Sequence, residues 1–345
     1  MMLRRSFALV LSLLAACGTD AAPGPVLTGE SFSLMWGPVT VGPGEEGTQC
    51  VILDVGNDET VKIHEIENTL TSFSHHLVIY RDDTAPEPLT TPFPCVPFAG
   101  TLAANAAVSP LMITQKEHDL LTLPDGVAYT FAPRQRIRVE MHYLNASEQT
   151  EDVSARMEFR VATPERIRDE ASFMFIGTPD IELAPKRTTS ITSYFTPPEE
   201  LAGAKFFAIT GHTHQYGTNV TVAKAAARTA DRAMVYAPDD FAWNEPPMVR
   251  HTPAFVLPEG GGFEFTCDYY NSTDQIVEFG ESANAEMCFF WAYYYPSKGA
   301  HVCVHSTLVN APDGLDVCCP APPGDQLSKF ICDKLSDEFD SSGVR

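Results

Sequence analysis

Five of the ten histidines fall into three compact groups, and histidine is the side chain that most often binds transition metals at neutral pH. The groups are the adjacent pair His75-His76, the single His142, and the triplet His212-Thr213-His214. Imidazole binds zinc, copper, iron and nickel alike, so the groups predict a metal site without choosing the metal. Locally hydrogen-bonded structural histidines are the alternative interpretation of each group taken alone.

The spacing within each pair decides how the pair could share one ion. Residues two apart point to the same face of a strand, so His212 and His214 can reach one ion if their segment is extended. Adjacent residues point to opposite faces, so His75 and His76 need a bend or bulge, which residues 72–74 could supply. The sequence therefore predicts a regular strand at His212 and His214 and an irregular strand at His75 and His76.

A methionine offers a softer ligand than imidazole. Met287 lies between Glu286 and Cys288, and a thioether held beside a disulfide favours cuprous copper over zinc. A zinc hydrolase built on the His-x-His pair would need a nearby carboxylate, and residues 215–217, Gln-Tyr-Gly, provide none. The pattern therefore favours copper.

Composition predicts that β-strands position these groups. The chain has 345 residues, of which 44% are hydrophobic, with 27 prolines and 22 glycines, and its apolar runs are rich in Val, Thr, Phe and Tyr. Short strand-like runs alternate with turn residues throughout the body of the chain. We predict an all-β protein with two tandem β-sandwich domains, residues 33–165 and 166–310, divided where the alternation lapses at residues 162–170.

The two ends of the chain differ from its body. Residues 1–16 combine two arginines with an apolar run too short to span a bilayer, which is typical of an export signal. The run ends on Leu-Ala-Ala-Cys, which resembles the bacterial lipobox and makes Cys17 the lipid attachment site; a conventional signal peptide is the alternative. We expect a flexible linker over residues 17–32 and a Cys-containing tail over residues 311–345. The expected location is the cell envelope, lipid-anchored on the outer-membrane or periplasmic side or at the cell surface.

Charge and cysteine content restrict the partners and the compartment. The formal net charge is −22, from 23 basic and 45 acidic side chains, so the chain repels nucleic acid. Apart from Cys17 there are eight cysteines and no Cys-x-x-Cys spacing, which favours disulfides in an oxidising compartment over a thiolate zinc site. We expect no nucleic-acid partner, and contact with a membrane only through the lipid anchor.

Several of these features, in this order, resemble one enzyme family. The chain is similar to the copper type II, ascorbate-dependent monooxygenases, which include dopamine β-monooxygenase and peptidylglycine α-hydroxylating monooxygenase. The resemblance runs from about residue 45 to about residue 300, through the histidines at 75–76 and 142, the segment 207–217 and the tripeptide 286–288. It implies that both sandwiches are jelly-roll-like and that each presents one copper site to a shared cleft.

The resemblance also implies roles for individual side chains. It implies an electron-transfer copper held by three imidazoles in the first domain: His75, His76 and His142. It implies an oxygen-binding, catalytic copper held by two imidazoles and a thioether in the second domain: His212, His214 and Met287. Two disulfides are implied: Cys50–Cys95 and Cys267–Cys288. The other four cysteines would pair among themselves. Glu140 shares a strand face with His142, where it is either a hydrogen-bond acceptor for a ligand ring or a solvated surface acid.

The implied reaction is hydroxylation of an aliphatic or benzylic C–H bond with dioxygen and a one-electron reductant such as ascorbate. Peptide-hydroxylating members anchor the peptide carboxylate with an Arg, an Asn and a Tyr at positions that here are Thr210, Phe289 and Trp291, so peptide amidation is disfavoured. The aromatic run at 289–295 indicates a small aromatic or apolar substrate, with a buried strand as the alternative interpretation. A copper-binding lipoprotein of the same fold without turnover is the alternative function.

Overall fold

The computed structural model describes most of the body of the chain. The described residues are 26–95, 108–280, 282, 284–307, 313–321 and 324–341. The predicted export signal and Cys17 lie outside these residues. Within them, no helix is both long and apolar enough to cross a membrane. Strands dominate the regular structure, which confirms the all-β prediction.

Two sheets form the N-terminal half, which we define as residues 27–170. The strands of this half are β1 (Leu27–Val41), β2 (Glu46–Asp54), β3 (Val61–Leu70), β4 (Ser74–Asp82), β5 (Leu89–Pro94), β6 (Val108–Thr114), β7 (His118–Thr122), β8 (Val127–Phe131), β9 (Arg136–Leu144), β10 (Glu151–Ala162) and β11 (Asp169–Glu170). One sheet has the order β1-β10-β3-β8-β11, with β7 paired to β3, and the other has the order β5-β2-β9-β4-β6. The pairs are antiparallel except for β8 and β11.

Three sheets form the C-terminal half, which starts at Ser172. Its strands are β12 (Ser172–Thr178), β13 (Glu182–Leu183), β14 (Arg187–Phe195), β15 (Lys205–His212), β16 (Gly217–Ala225), β17 (Ala233–Tyr236), β18 (Met248–Val256), β19 (Gly262–Asn271), β20 (Val277–Glu278), β21 (Cys288–Tyr295), β22 (His301–Ser306) and β23 (Leu315–Cys319), followed by the helix α1 (Gln326–Ser341). The sheet orders are β18-β15-β21-β12-β22-β23, β14-β19-β16-β17 and β13-β20. Short 3-10 turns lie at Pro164–Arg166 and Glu199–Leu201.

The first strand begins inside the segment that the sequence predicts to be a flexible linker. Leu27 pairs with Ala162, and the ring of Phe32 stacks on that of Phe159 with centroids 5.1 Å apart. The linker prediction is therefore wrong for residues 27–32. The Pro- and Gly-rich composition of the predicted linker favours an irregular segment. Residues 27–32 nevertheless form part of an edge strand, because they pair with β10.

The other two predicted boundaries also shift. Strand β11 pairs with β8, and the Glu170 carboxylate accepts the Thr130 N–H at 2.7 Å, so the N-terminal half extends to residue 170 instead of 165. The predicted tail contains β23, which pairs with β22 across the Cys303–Cys318 disulfide. The start of the tail is therefore part of the large C-terminal sheet.

Strand β21 is buried on both faces, which accounts for its continuous aromatic run. Phe289, Trp291 and Tyr293 belong to an apolar core shared with the N-terminal half. Phe290 and Tyr294 point into a second core, which the sheets of the C-terminal half enclose between them. One face of the β18-β15-β21-β12-β22-β23 sheet therefore packs within the C-terminal half, and its opposite face packs against the N-terminal half.

The eight cysteines of the body form four disulfides, as their even number predicts. The bridges are Cys50–Cys95, Cys267–Cys288, Cys303–Cys318 and Cys319–Cys332. The first two are the pairs that the resemblance implies, and the last two give the order in which the remaining cysteines pair.

Candidate metal centres

Three histidines of the N-terminal half meet at adjacent positions on two strands. His76 on β4 faces His142 on β9, and the pairing shifts register between Ser74 and His76. Just before this shift Phe73 has a φ of 69°, in the left-handed region that non-glycine residues rarely occupy. The irregularity predicted at residues 72–74 is therefore present, and it allows adjacent histidines to turn toward the same point.

The ring nitrogens of this cluster fit one metal ion. Each of His75, His76 and His142 offers a nitrogen within 4.8 Å of the other two. The Nδ1 atoms of His75 and His76 are 3.1 Å apart, and Nδ1 of His142 is buried without a hydrogen-bond partner among the described residues. Converging nitrogen lone pairs are the donor set of a transition-metal site. We call these three residues the first centre.

Burial keeps the imidazoles of the first centre neutral. Burial, together with the nearby His142 and His214, lowers the pKa of His75 to about 3. Burial holds the pKa of His76 well below its ordinary value. It also lowers the pKa of His142, although the Glu46 carboxylate opposes this shift. Neutral imidazole is the form that binds metals.

A carboxylate fixes the ring of His142. His142 Nε2 lies 3.0 Å from Glu46 Oε1, on the neighbouring strand β2. Because the carboxylate accepts the Nε2 proton, the lone pair is left on Nδ1, the nitrogen that is buried without a hydrogen-bond partner among the described residues. The acceptor for His142 is thus Glu46. Glu140, which the sequence suggested for this role, is buried and accepts a hydrogen bond from the Tyr80 hydroxyl at 3.0 Å, so the surface-acid interpretation is wrong.

The other two histidines lie where β15 ends. His212 is the last residue of the strand, whereas His214 lies in the turn that follows, and their ring centroids are 5.2 Å apart. The predicted extended segment therefore stops between them. Both are buried; burial lowers the pKa of His214 to about 4 and that of His212 well below its ordinary value.

Met287 lies opposite this turn. His212 pairs with Phe289, and continuing this antiparallel register by two positions would place Met287 opposite His214. Met287 is 1% exposed, precedes the Cys267–Cys288 disulfide, and accepts the Tyr269 hydroxyl at its carbonyl at 2.7 Å. We call His212, His214 and Met287 the second centre. The structure thus brings a thioether residue to the end of the strand that carries the imidazoles.

The Glu286 carboxylate organises the turn between His214 and Met287. It accepts the backbone N–H groups of His214 at 2.8 Å and Tyr216 at 2.7 Å, and also that of Met287 at 3.3 Å. Burial raises its pKa to about 7, and these hydrogen bonds oppose the rise. The sequence draws attention to Glu286 only as a neighbour of the methionine; its capping role depends on a fold that brings residues 214 and 286 together.

The three positions compared with peptide-hydroxylating enzymes lie beside the second centre. Thr210 pairs with Trp291, whose ring centroid is 5.5 Å from that of His212. Phe289 faces His212 across the strand pair and stacks on Phe175 at 4.6 Å. All are buried. The environment of His212 is therefore aromatic and carries no cation at these positions.

The two centres face each other at the junction of the halves. His212 and His214 both lower the pKa of His76, although they belong to the other half of the chain. The Trp243 ring, also from the C-terminal half, lies 5.4 Å from that of His75. A cavity of about 220 Å³ adjoins His75, and Gln115 is among the residues that line it. Trp243 and Gln115 are not predictable from the sequence, because neither lies near the five clustered histidines in the chain.

The family model for the copper type II ascorbate-dependent monooxygenase C-terminal domain matches residues 169–311. Residues 169–311 are thus similar to the C-terminal domain of that family. The matched residues start at the first residue of β11 and contain the whole second centre. The donor atoms at the junction agree with a copper-dependent family of this kind.

Other comparisons add nothing to the monooxygenase assignment. A search of curated proteins gives no match. Among solved structures, a triple jelly-roll protein from the turret assembly of an archaeal virus matches with a TM-score of 0.20 and 7% identity, over 79% of this chain and 62% of that chain. A protein of Sulfolobus turreted icosahedral virus matches with a TM-score of 0.18 and 9% identity, over 77% and 60%. The chain thus spans about three fifths of the length of these viral proteins.

Proposed function

We propose that the protein hydroxylates an aliphatic or benzylic C–H bond of a small aromatic or apolar molecule, using dioxygen and a one-electron reductant such as ascorbate. The observation that carries this proposal is that two histidine clusters from opposite halves meet at the junction, where Gln115 lies 2.7 Å from His212 and lines the same cavity as His75. Two redox centres that face each other suit a reaction that needs two electrons and one oxygen-binding site. The family match at the second centre supports the same chemistry.

The donor sets fit two copper ions per chain. The first centre would hold the electron-transfer copper through three neutral imidazoles, and the second centre would hold the catalytic copper through His212, His214 and Met287. Copper bound there would supply one-electron transfer and oxygen activation. The protein's part is to keep the imidazoles neutral by burial and to exclude water. Glu46 and Glu286 fix the ligands in place.

The surroundings of His212 support the proposed substrate class. Trp291 and Phe289 flank this residue with apolar rings, and Thr210 places a neutral side chain where peptide-hydroxylating relatives have an Arg. A carboxylate-bearing peptide would find no cation at these positions. Both rings are packed in the core between the halves, so they support this substrate class only by keeping this side of His212 apolar and free of charge.

The cellular setting is also part of the proposal. Four disulfides fit an oxidising compartment, and Cys17 would carry the lipid after removal of residues 1–16. About ten residues then separate this cysteine from β1, which is shorter than the predicted linker of residues 17–32. The folded body would therefore lie close to the cell-envelope membrane. The strong negative charge disfavours nucleic acid as a partner.

The first test is the metal content of the mature protein, reloaded with copper and freed of excess ion. We expect about two coppers per chain in the wild type and about one in His212→Ala or His142→Ala, because each substitution removes a ligand of one centre. His118→Ala is the matched control, since this exposed histidine lies outside both centres and should leave the copper content unchanged.

Oxygen consumption then separates the two candidate functions. With ascorbate and a panel of aromatic and aliphatic substrates, the copper-loaded wild type should consume oxygen and give hydroxylated product. Two bound coppers without turnover on any substrate would favour the copper-binding lipoprotein instead. Zinc in preference to copper, or fewer than two coppers, would overturn the proposed donor sets.

A further inference from the structure

We propose that Gln115, contributed by the N-terminal half, is a positioning residue for the second centre. Its side chain fixes the tautomer and the ring orientation of His212 across the junction. The inference rests on the proposed function only in taking His212 as a copper ligand. Its consequence is that the second centre is complete only when the two halves are packed together.

The contact is short and buried. His212 Nδ1 and Gln115 Oε1 are 2.7 Å apart, although 97 residues separate them in the chain. His212 is 0% exposed and Gln115 is 5% exposed, so water does not compete for this hydrogen bond. An amide oxygen can only accept, so the proton must lie on His212 Nδ1. In that tautomer the lone pair is on Nε2, the nitrogen that remains able to bind a metal.

Gln115 is itself held in place by both halves. It directly follows β6, whose last residue, Thr114, pairs with Leu77 of β4 and accepts a hydrogen bond from Asn68 at 2.6 Å. One residue earlier, the Ile113 N–H donates to the Tyr293 hydroxyl of β21 at 3.2 Å. The end of β6 is therefore fixed between the strand that carries the first centre and a strand that adjoins the second.

The origin of the acceptor distinguishes His212 from other histidines of the two centres. His142 has its acceptor, Glu46, within its own half, and His214 Nδ1 lies 3.2 Å from the Ala285 carbonyl, also within its own half. His212 takes an acceptor from the opposite half. Gln115 also borders the cavity beside His75, so one side chain adjoins both centres. Packing of the halves thus sets the orientation of a ligand in the proposed oxygen-binding site.

The tautomer can be tested on the copper-free wild type. Ring ¹⁵N chemical shifts, assigned by comparison with His212→Ala, should show His212 protonated at Nδ1. Protonation at Nε2 would mean that the Gln115 amide does not accept from this ring and would overturn the inference. This measurement needs neither copper nor turnover, so it stands whatever becomes of the proposed function.

Variants test the effect on metal binding. Gln115→Met keeps the length of the side chain but removes the acceptor, and we expect copper affinity at the second centre to fall about 10- to 100-fold while the first centre is unchanged. Gln115→Glu retains an acceptor oxygen and should restore most of the affinity and the wild-type electron paramagnetic resonance signal. Gln135→Met is the matched control, because it makes the same change at another buried glutamine, which hydrogen-bonds Asp83 and the Ala132 N–H just before β9, and it should leave both centres unaltered.

The outcomes separate two kinds of failure. A wild type that binds copper at only the first centre would contradict the proposed function, while the tautomer would still decide the role of Gln115. A wild type with two coppers and a Gln115→Met variant with the same two affinities and spectrum would overturn the positioning role. Equal weakening in Gln135→Met would show a general effect of removing a buried glutamine and would likewise overturn it.

Discussion

The Glu286 carboxylate lies 2.8 Å from the backbone nitrogen of His214 and so joins the turn after β15 to the segment that carries Met287. A fully buried carboxylate is costly to desolvate unless donors surround it, and here backbone N–H groups from both segments converge on it. The imidazole and thioether residues of the second centre are thus positioned by one shared anion.

Replacing this anion should damage the second centre selectively. In Glu286→Gln one acceptor oxygen becomes a donor that faces backbone N–H groups, and loss of a buried hydrogen bond to a charged group costs about 1.5–3 kcal/mol. We expect a lower melting temperature and weaker copper binding at the second centre, with the first centre retained. Copper titration and thermal unfolding measure both. Glu278→Gln, at an exposed position of β20, is the control. Full copper affinity in Glu286→Gln would contradict the role of this carboxylate in positioning the second centre.

The thioether of Met287 should matter for chemistry more than for folding. Met287→Leu conserves side-chain volume, so it should cost less than about 1.5 kcal/mol of stability while removing the sulfur. We expect ascorbate-dependent oxygen consumption to be lost and cuprous affinity at the second centre to fall, with copper still bound by the first centre. Met174→Leu makes the same change in the apolar core. Wild-type oxygen consumption in Met287→Leu would exclude the sulfur as a required ligand.

Glu46 provides the corresponding test for the first centre. Glu46→Ala removes the acceptor for His142 Nε2, so the ring can adopt the other tautomer, and copper affinity at this centre should fall about 10- to 100-fold. The second centre should keep its affinity. Glu148→Ala removes an exposed carboxylate from the same half and controls for the change in charge. Equal losses in the two variants would mean that charge, not ring orientation, causes the effect.

The sequence predicts the candidate metal ligands better than it predicts the side chains that hydrogen-bond to those ligands or pack against them. The bulge beside His75 is predictable, because adjacent strand residues cannot otherwise share a face, and the family pattern implies both the soft ligand and its neighbouring disulfide. Glu46, Gln115 and Trp243 are not predictable in this way. Each reaches its histidine through strand pairing or packing of the halves over about 100 residues or more, and such contacts leave no local spacing signal.

The edge strand at residues 27–32 escapes prediction for a related reason. Its sequence is polar and Gly-containing, so composition favours a linker, and only pairing with β10 and the stacking of Phe32 on Phe159 make it a strand. Tertiary context overrides local propensity here.

The buried imidazoles should make the copper-free protein sensitive to acid. In the folded state the pKa values of the five histidines lie below 6.5, at about 3 for His75 and about 4 for His214, whereas in the unfolded chain they return to about 6.5. As the pH falls below about 6.5, the unfolded state binds more protons and stability is lost. Glu286 acts in the opposite direction. Because its folded-state pKa of about 7 exceeds its ordinary value, it releases up to one proton on unfolding in this pH range. On balance, unfolding in acid should therefore take up protons from these groups.

The free energy of unfolding, measured in urea between pH 7.5 and pH 4.5, tests this balance. We expect stability of the copper-free protein to fall steadily below pH 6.5, and His214→Asn should make the slope shallower by up to about 1.4 kcal/mol per pH unit, the value for one proton. His118→Asn, at an exposed position, should leave the slope unchanged. Bound copper should flatten the profile, because metal occupies the nitrogens that would otherwise take up protons. A flat profile in the copper-free wild type would mean that the imidazoles are already accessible to protons in the folded state, which would contradict a closed junction between the two centres.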